Sequence, residues 1–348
     1  MTGQDSDPDA SGSSTFAHLL AMSDGRGLFE HALLDMPRRD HGYCVDDVAR
    51  ALVVLVRESE RAPALDRLVA TYLRFLEAAV DVDGQVHNRM DAGGEWTDDA
   101  GLGDWWGRAL RALGAAAVDL PTASDRKRAL IAFHRAASAR SPHGRAMAFA
   151  TLGAADVLSA DPGDLSARAL LMDGVASIGT PSDDHWAWPE PRLRYANAAL
   201  PEALLAGGAA MDDPRVVARG LAMLRFLLDV ETRGGHLSVT GVGGRGPAQR
   251  SVQFDQQPIE VAAIADACAR AFDITADPSW RDGVAAAWAW FTGDNDAATP
   301  MIDRESGAGF DGLEAGGRNE NRGAESTLAA LGAYQQAARL GVLERVRR

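Results

Sequence analysis

The chain is poor in most features that mark a specialised class of protein. It has two cysteines, Cys44 and Cys268, among 348 residues. Two thiols make neither a disulfide framework nor a zinc site, and both fall in apolar helical stretches, where thiols are usually buried. Strand signals are nearly missing. The best, His236-Leu237-Ser238-Val239-Thr240 followed by Gly-rich sequence, reads as one strand of a hairpin inside a loop. Positive charge is short: formal net charge is −14 and the isoelectric point is near 5.0. Phosphate contacts need clustered Lys and Arg, so this balance argues against a nucleic-acid or anionic-membrane surface. The apolar runs are broken by Arg or Asp and are too short to span a membrane. No leader is visible; residues 1–15 are Ser, Asp and Gly without an apolar stretch, which predicts a disordered tail and a cytoplasmic protein.

What the chain does have is alanine, helical periodicity and a 46% share of hydrophobic residues, ample for one large core. The periodicity predicts helices over about 17–34 (interrupted near Gly25-Arg26-Gly27), 45–58, 64–80, 103–118, 125–138, 144–159, 164–178, 197–210, 214–231, 258–274, 278–292 and 324–340. Pro214, Pro258 and Pro278 stand where a first-turn proline is tolerated. One set (45–58, 103–118, 144–159, 197–210, 258–274, 324–340) is rich in small residues such as Ala49, Ala109, Ala148, Ala203, Ala262 and Ala329, which permit close helix approach. Others carry more Arg and larger side chains, as outer amphipathic helices do. The linkers alternate too. Some are short, such as Ala160-Asp161-Pro162-Gly163. Others are mostly long and crowded with Trp, Gly, His and carboxylates: Asp81 to Gly101, Thr180 to Tyr195, Thr232 to Gln257, Gly293 to Arg322. The expected fold is all-α: one domain over residues 16–348, an (α/α)6 toroid of six helix pairs with the long loops at one rim. A helical-repeat solenoid fits less well, since no repeated consensus is found.

Polar residues gather where each inner helix begins. The first start carries His41, Tyr43, Asp46 and Asp47; the second Asp104, Trp105 and Arg108; the third His143 and Arg145. The fourth carries Trp188, Glu190, Arg192, Tyr195 and Asn197; the fifth Asp255, Gln256, Gln257 and Glu260; the sixth Asn319, Glu320, Asn321 and Glu325. In an alternating toroid all six starts lie at one mouth. Any single acid there reads equally as a helix cap. Capping does not explain Glu260 or Glu325 inside Ala-rich helices, nor their company of arginines. Five of the eight tryptophans, Trp96, Trp105, Trp106, Trp186 and Trp188, fall in the same loops or starts, as platforms for sugar rings or as loop packing. Carboxylates around a polar cup point to glycoside chemistry, in which one carboxylic acid protonates the leaving oxygen and another activates water or attacks the anomeric carbon. The catalytic candidates are Asp46, Asp47, Asp104, Glu190, Glu260 and Glu325, with the pair Asp47 and Glu325 favoured because ring closure makes their helices neighbours. No metal site and no cofactor is expected: no His pair has ligand spacing, and no Gly-rich loop sits between a strand and a helix.

The stretches 41–52, 188–201, 254–260 and 319–328 resemble bacterial (α/α)6-toroid proteins related to glycoside hydrolases, found alone, fused to glycosyltransferases, or beside mannoside phosphorylases. The resemblance implies a carbohydrate substrate, an oligosaccharide or glycoconjugate, without fixing the reaction. Two positions depart from the family's pattern: Val48 where an Asn usually follows the Asp pair, and Ala196 where an Asp usually stands between Tyr and Asn. The leading expectation is a glycoside hydrolase. The alternatives are a sugar-binding module that has lost catalysis, with Ala196 as its mark, a scaffold toroid, and a uronic-sugar lyase or epimerase.

Overall fold

A computed structural model describes residues 15–181 and 185–343. The expected tail, residues 1–15, lies outside the described residues except for Thr15. Twelve α-helices are present among the described residues. Six form the inner wall: α2 (Val45–Val56), α4 (Asp104–Asp119), α6 (Gly144–Ala160), α8 (Ala199–Ala210), α10 (Pro258–Thr275) and α12 (Ala324–Arg339). Each packs on the next, and α12 returns to α2 to close the ring. Outside them lie α3 (Pro63–Ala79), α5 (Ala123–Ala136), α7 (Leu165–Ser177), α9 (Pro214–Glu231) and α11 (Pro278–Phe291). The short α1 (Ala17–Ala21) packs on α12 and completes the sixth pair. This is the all-α (α/α)6 toroid.

The small residues do what an inner wall requires. Between α4 and α6 the backbones nearly touch: a Cβ added to Gly114 would lie 2.3 Å from the Gly153 carbonyl oxygen, and one added to Gly153 would lie 2.1 Å from that of Leu110. The closing seam is tied by Gln335, whose Nε2 donates to the Val54 carbonyl at 2.9 Å.

One helix is much shorter than its periodicity predicts. The segment 17–34 is helical only over Ala17–Ala21. Asp24 then accepts hydrogen bonds from the amides of Arg26 and Gly27, a side-chain turn that competes with the helix. The rest of the segment runs into a hairpin of β1 (Ala32–Leu33) and β2 (Met36–Pro37).

Three more two-stranded pieces lie in the long linkers. These are β3 (Tyr43–Cys44) with β4 (Arg89–Met90), β5 (Thr232–Arg233) with β6 (His236–Leu237), and β7 (Leu313–Glu314) with β8 (Gly317–Arg318). The strand expected at His236 is there, but its partner precedes it, across the turn at Gly234 and Gly235. Among the described residues no helix is long and apolar enough to cross a membrane.

Candidate active site

Helix capping separates the two rims. Four outer helices begin with a side-chain cap. Thr122 accepts from the Asp125 amide, Asp164 from Ala167, Asp213 from Arg215 and Val216, and Asp277 from Ser279. None of the six inner helices has one. The positive ends of their dipoles face the rim that carries the long loops, and some first-turn amides there bond loop carbonyls instead, as Val45 does to Asn88 and Ala324 to Glu30. The first-turn acids of the inner wall, Asp46, Asp47, Asp104, Glu202, Glu260 and Glu325, are not in N-cap positions and are free for other work.

Three of them meet where the ring closes. Asp46, Asp47 and Glu325 line one cavity of about 270 Å³, together with Gln257, Glu30, Asp311 and the guanidinium groups of Arg50 and Arg89. Arg50 organises it. One Nη lies 2.5 Å from Asp47 Oδ1, and the other lies 2.7 Å from Glu325 Oε2. The expected pairing of Asp47 with Glu325 is thus made through a shared arginine. The two acids differ in exposure, however: the Asp47 side chain is 4% exposed and that of Glu325 is 42%. Burial pushes Asp47 up to about 7; Arg50 opposes the rise, while Glu325, Glu30 and Asp46 add to it. Asp46 is raised as well, by burial first, against the pull of Arg108 and Arg50. Its Oδ1 lies 3.0 Å from Arg108 Nε, yet neither atom makes a hydrogen bond, so the contact is charge without directionality. The Arg108 guanidinium also stacks over Phe149, 4.1 Å from the ring centre.

A second knot of residues braces the opposite side of the mouth. Arg145 holds Glu190 through two parallel bonds, of 2.7 and 2.8 Å, and donates Nε to the Tyr195 carbonyl at 2.5 Å. Burial opposes ionisation of Glu190, but the bonds and charge of Arg145 outweigh it and hold its pKa below the usual value. Glu260 is buried and accepts from the amides of Ala196 (2.5 Å) and Asn197 (3.2 Å) and from Asn197 Nδ2 (3.3 Å). It therefore anchors the loop between Leu193 and Ala198 more than it faces solvent. Burial, with Glu231 nearby, raises its pKa to about 7. Asp104 hydrogen-bonds the Tyr195 hydroxyl, and Tyr195 is half-exposed over the Arg145 guanidinium. Ala196 takes a left-handed backbone, φ 45°, and lines a small central cavity with Arg108 and Phe149. Val48 is fully buried in the α2 core.

Other expected contacts are committed elsewhere. The Tyr43 hydroxyl donates to Asp24. Trp188 is buried against Phe226, and Trp105 donates its indole N–H to the Val86 carbonyl, so both pack loops. Gln256 is buried and ties Asp296 to Trp290. Arg192 donates to the Gly244 carbonyl. Asn319 and Asn321 shape their own loop, and Asn321 also accepts from the Leu34 amide. Glu320 is exposed and pairs with Arg318. His143 is exposed at the start of α6. His41 is exposed and meets His31 edge-on, ring centres 5.1 Å apart. Asp255 leaves Oδ1 without a hydrogen bond, and burial raises its pKa, helped by Glu314 and Asp311.

Sequence reading misses Glu30, Arg50, Arg89 and Asp311 as cavity residues. Arg50 carries a local signal, since it stands one helical turn beyond Asp46 and Asp47. Among the described residues one group has metal-binding composition: Glu30, Cys44 and Asp47, with ligand atoms within 4.8 Å of one another. Arg89 and Arg50 already neutralise the two carboxylates, and the Cys44 thiol donates to Asn88 Oδ1 at 3.3 Å. Burial and the neighbouring acids raise that thiol well above its ordinary pKa.

No protein-family pattern and no curated protein sequence matches the chain. Solved structures do. A sugar epimerase from a ruminal bacterium superposes with a TM-score of 0.72 at 12% identity, over 94% of this chain and 95% of its own. A D-mannose isomerase gives 0.67 at 12% identity, over 94% and 96%. A cellulase of C. cellulolyticum in complex with cellobiose gives 0.58 at 10% identity, over 90% and 88%. At such identities the likeness shows the fold, and the fold it shows is the (α/α)6 toroid.

Proposed function

We propose that this protein is a carbohydrate-active enzyme whose active site is the cavity at the closing seam, and that it hydrolyses a glycosidic bond in an oligosaccharide or glycoconjugate. The observation that carries the reading is the convergence of Asp46, Asp47 and Glu325 on one cavity, with a single guanidinium holding two of them. Asp46 is the proton donor: its pKa is raised, and its Oδ1 makes no hydrogen bond that would fix a proton elsewhere. Glu325, the most exposed of the three and steadied by Arg50, is the base or nucleophile. Asp47 is a positioning residue that fixes Arg50 from the buried side. Gln257, on the wall of the same cavity, binds hydroxyl groups. The folds of the superposing structures, among them an epimerase, an isomerase and a cellulase, support a sugar as substrate. The motif resemblance supports a role in glycan metabolism beside glycosyltransferases, and two free buried thiols suit the cytoplasm.

A second reading is epimerisation, because His31 also lines this cavity with His41 against it. Mass spectrometry of a glycan panel separates the two. Hydrolysis adds one water to the products, epimerisation leaves mass unchanged, and an unsaturated product marks a lyase. Turnover by the wild type that is lost in Glu325→Gln and in Asp46→Asn, both still folded, supports the proposal. Turnover retained in both variants refutes it, and glycan-dependent stabilisation without any product turns the reading to a binding module.

A further inference from the structure

A small chamber of about 70 Å³ adjoins the mouth cavity deeper in the barrel, and Arg50 lines both. All six inner helices reach it. Its wall is largely apolar, but four arginines line it (Arg50, Arg57, Arg108 and Arg111) against two acids, Glu202 and Asp266. Three of the arginines are engaged. Arg50 holds Asp47 and Glu325, as described above. Arg57 and Arg111 share Asp266, 2.9 Å from each, and Arg111 also lies 3.5 Å from Glu202.

Arg108 is not. Its side chain is 9% exposed, and its one ionic contact is made by Nε, sealed from solvent and 3.0 Å from Asp46 Oδ1 without a hydrogen bond. Its two Nη groups donate to no acceptor among the described residues. Unlike Nε they are not sealed, and the cavity that Arg108 lines is this chamber. A guanidinium has five N–H donors, and a buried one that places none costs free energy until an acceptor arrives. Asp46 does not settle the charge either. Burial first, then the neighbouring Arg50, lowers the pKa of Arg108 against the pull of Asp46, Glu325 and Asp104.

We propose that this chamber binds one carboxylate group, held by the two Nη groups of Arg108. Two parallel N–H donors match the two oxygens of a carboxylate. Phe149, 4.1 Å from the guanidinium, fixes the plane of that fork and gives the bound group an apolar side. Glu202 and Asp266 on the same wall disfavour a dianion such as phosphate, and four guanidinium groups disfavour a metal cation. The volume suits a carboxyl group on a short stem. Such a group has two sources: a small free acid, or a sugar acid whose ring stays in the mouth cavity next door. The inference does not rest on the glycosidase reading, because binding tests it without turnover.

Titration calorimetry of the full chain at fixed ionic strength tests it, with acetate and glucuronate beside their neutral counterparts acetamide and glucose. At least one acid is expected to bind, and its neutral counterpart to bind about tenfold more weakly or not at all. Binding of acetate marks a free acid as the source, and binding of glucuronate alone marks a sugar acid. Arg108→Met should abolish the response, with a cooperative melt as the check on folding. Ala196→Asp is the second variant. Ala196 lines the same chamber and packs on Phe149, and its left-handed backbone suits Asp better than Ala. A carboxylate supplied there by the chain itself should remove the response to added acid. Failure of both acids to bind overturns the proposal. So does binding of the neutral counterparts as tight as that of the acids, or an unchanged response in folded Arg108→Met or Ala196→Asp.

Discussion

Asp47 sets two effects against each other, and pH decides between them. Its carboxyl is buried at the start of α2, which favours the neutral form; Arg50 at 2.5 Å favours the charged form. The balance leaves a pKa of about 7 in the folded chain against an ordinary value of 3.8. The folded state then keeps a proton over a range where the unfolded chain has lost it. Stability from this group is complete below the unfolded value and is lost as pH rises toward the folded one. Between about pH 5 and pH 8 the loss amounts to about 2–3 kcal/mol. Other buried acids titrate too, so the useful quantity is a difference. Urea unfolding of wild type and Asp47→Asn across that range should show a pH-independent offset, from the altered contact with Arg50, plus a part that grows with pH in favour of the variant by about 2–3 kcal/mol. A difference that stays flat from pH 5 to pH 8 would mean that Asp47 is ionised throughout. The attraction of Arg50 would then outweigh burial, and the reasoning used for Asp46 would fall with it.

The remaining predictions are more local. Ala276 ends α10 in a left-handed conformation, φ 54° and ψ 17°, and is exposed, so Ala276→Gly should stabilise by about 1 kcal/mol, seen as a higher melting temperature. Gly153→Ala should destabilise by about 1–3 kcal/mol or prevent folding, because its new methyl meets the Leu110 backbone rather than a side chain that can turn away; a denaturation midpoint close to wild type would contradict the close approach of α4 and α6. Arg145→Met leaves Glu190 and Asn197 without their shared donor. It should cost about 3–5 kcal/mol if the pair behaves as buried, less in proportion to the partial exposure of Glu190, and should raise proteolysis in the loop before α8.

The toroid was legible because its signals are additive: twelve periodic segments, small residues on alternate ones, and linkers of two kinds. The first outer helix was not. Its apolar period runs on through Leu28 and Leu33, but Asp24 with the glycines after it favours a local turn over the next helical hydrogen bonds, and that competition is decided by two side-chain contacts. The site was legible at the same coarse level. Asp46, Asp47 and Glu325 were marked by type and place, and ring closure alone makes their helices neighbours. Glu30 and Asp311 were not, since they come from irregular segments whose path is set by packing against the wall. The tryptophans read equally as platforms or as loop packing, and Trp188 against Phe226 and Trp105 with its N–H on the Val86 carbonyl take the packing use.

Caps explain why the acids at the mouth read ambiguously and yet sit as they do. A first-turn carboxylate has two uses, to satisfy a free amide or to face the lumen, and composition alone is the same in both cases. The outer helices settle the matter by contrast. There Thr122, Asp164, Asp213 and Asp277 stand at the N-cap itself and bond the amides of their own first turn. On the inner wall the equivalent positions are Cys44, Gly103, His143, Ala198, Gln257 and Gly323, none of which supplies a bond. The acids follow one or more residues later, where their side chains leave the helix axis for the lumen or for an arginine across it. A ring of helix starts without side-chain caps favours negative charge, and it can steady a carboxylate at the mouth more than at the far end, where the dipoles reverse. One architecture with its helix starts aligned thus sets the amide ends of the inner wall at one mouth and the carbonyl ends at the other.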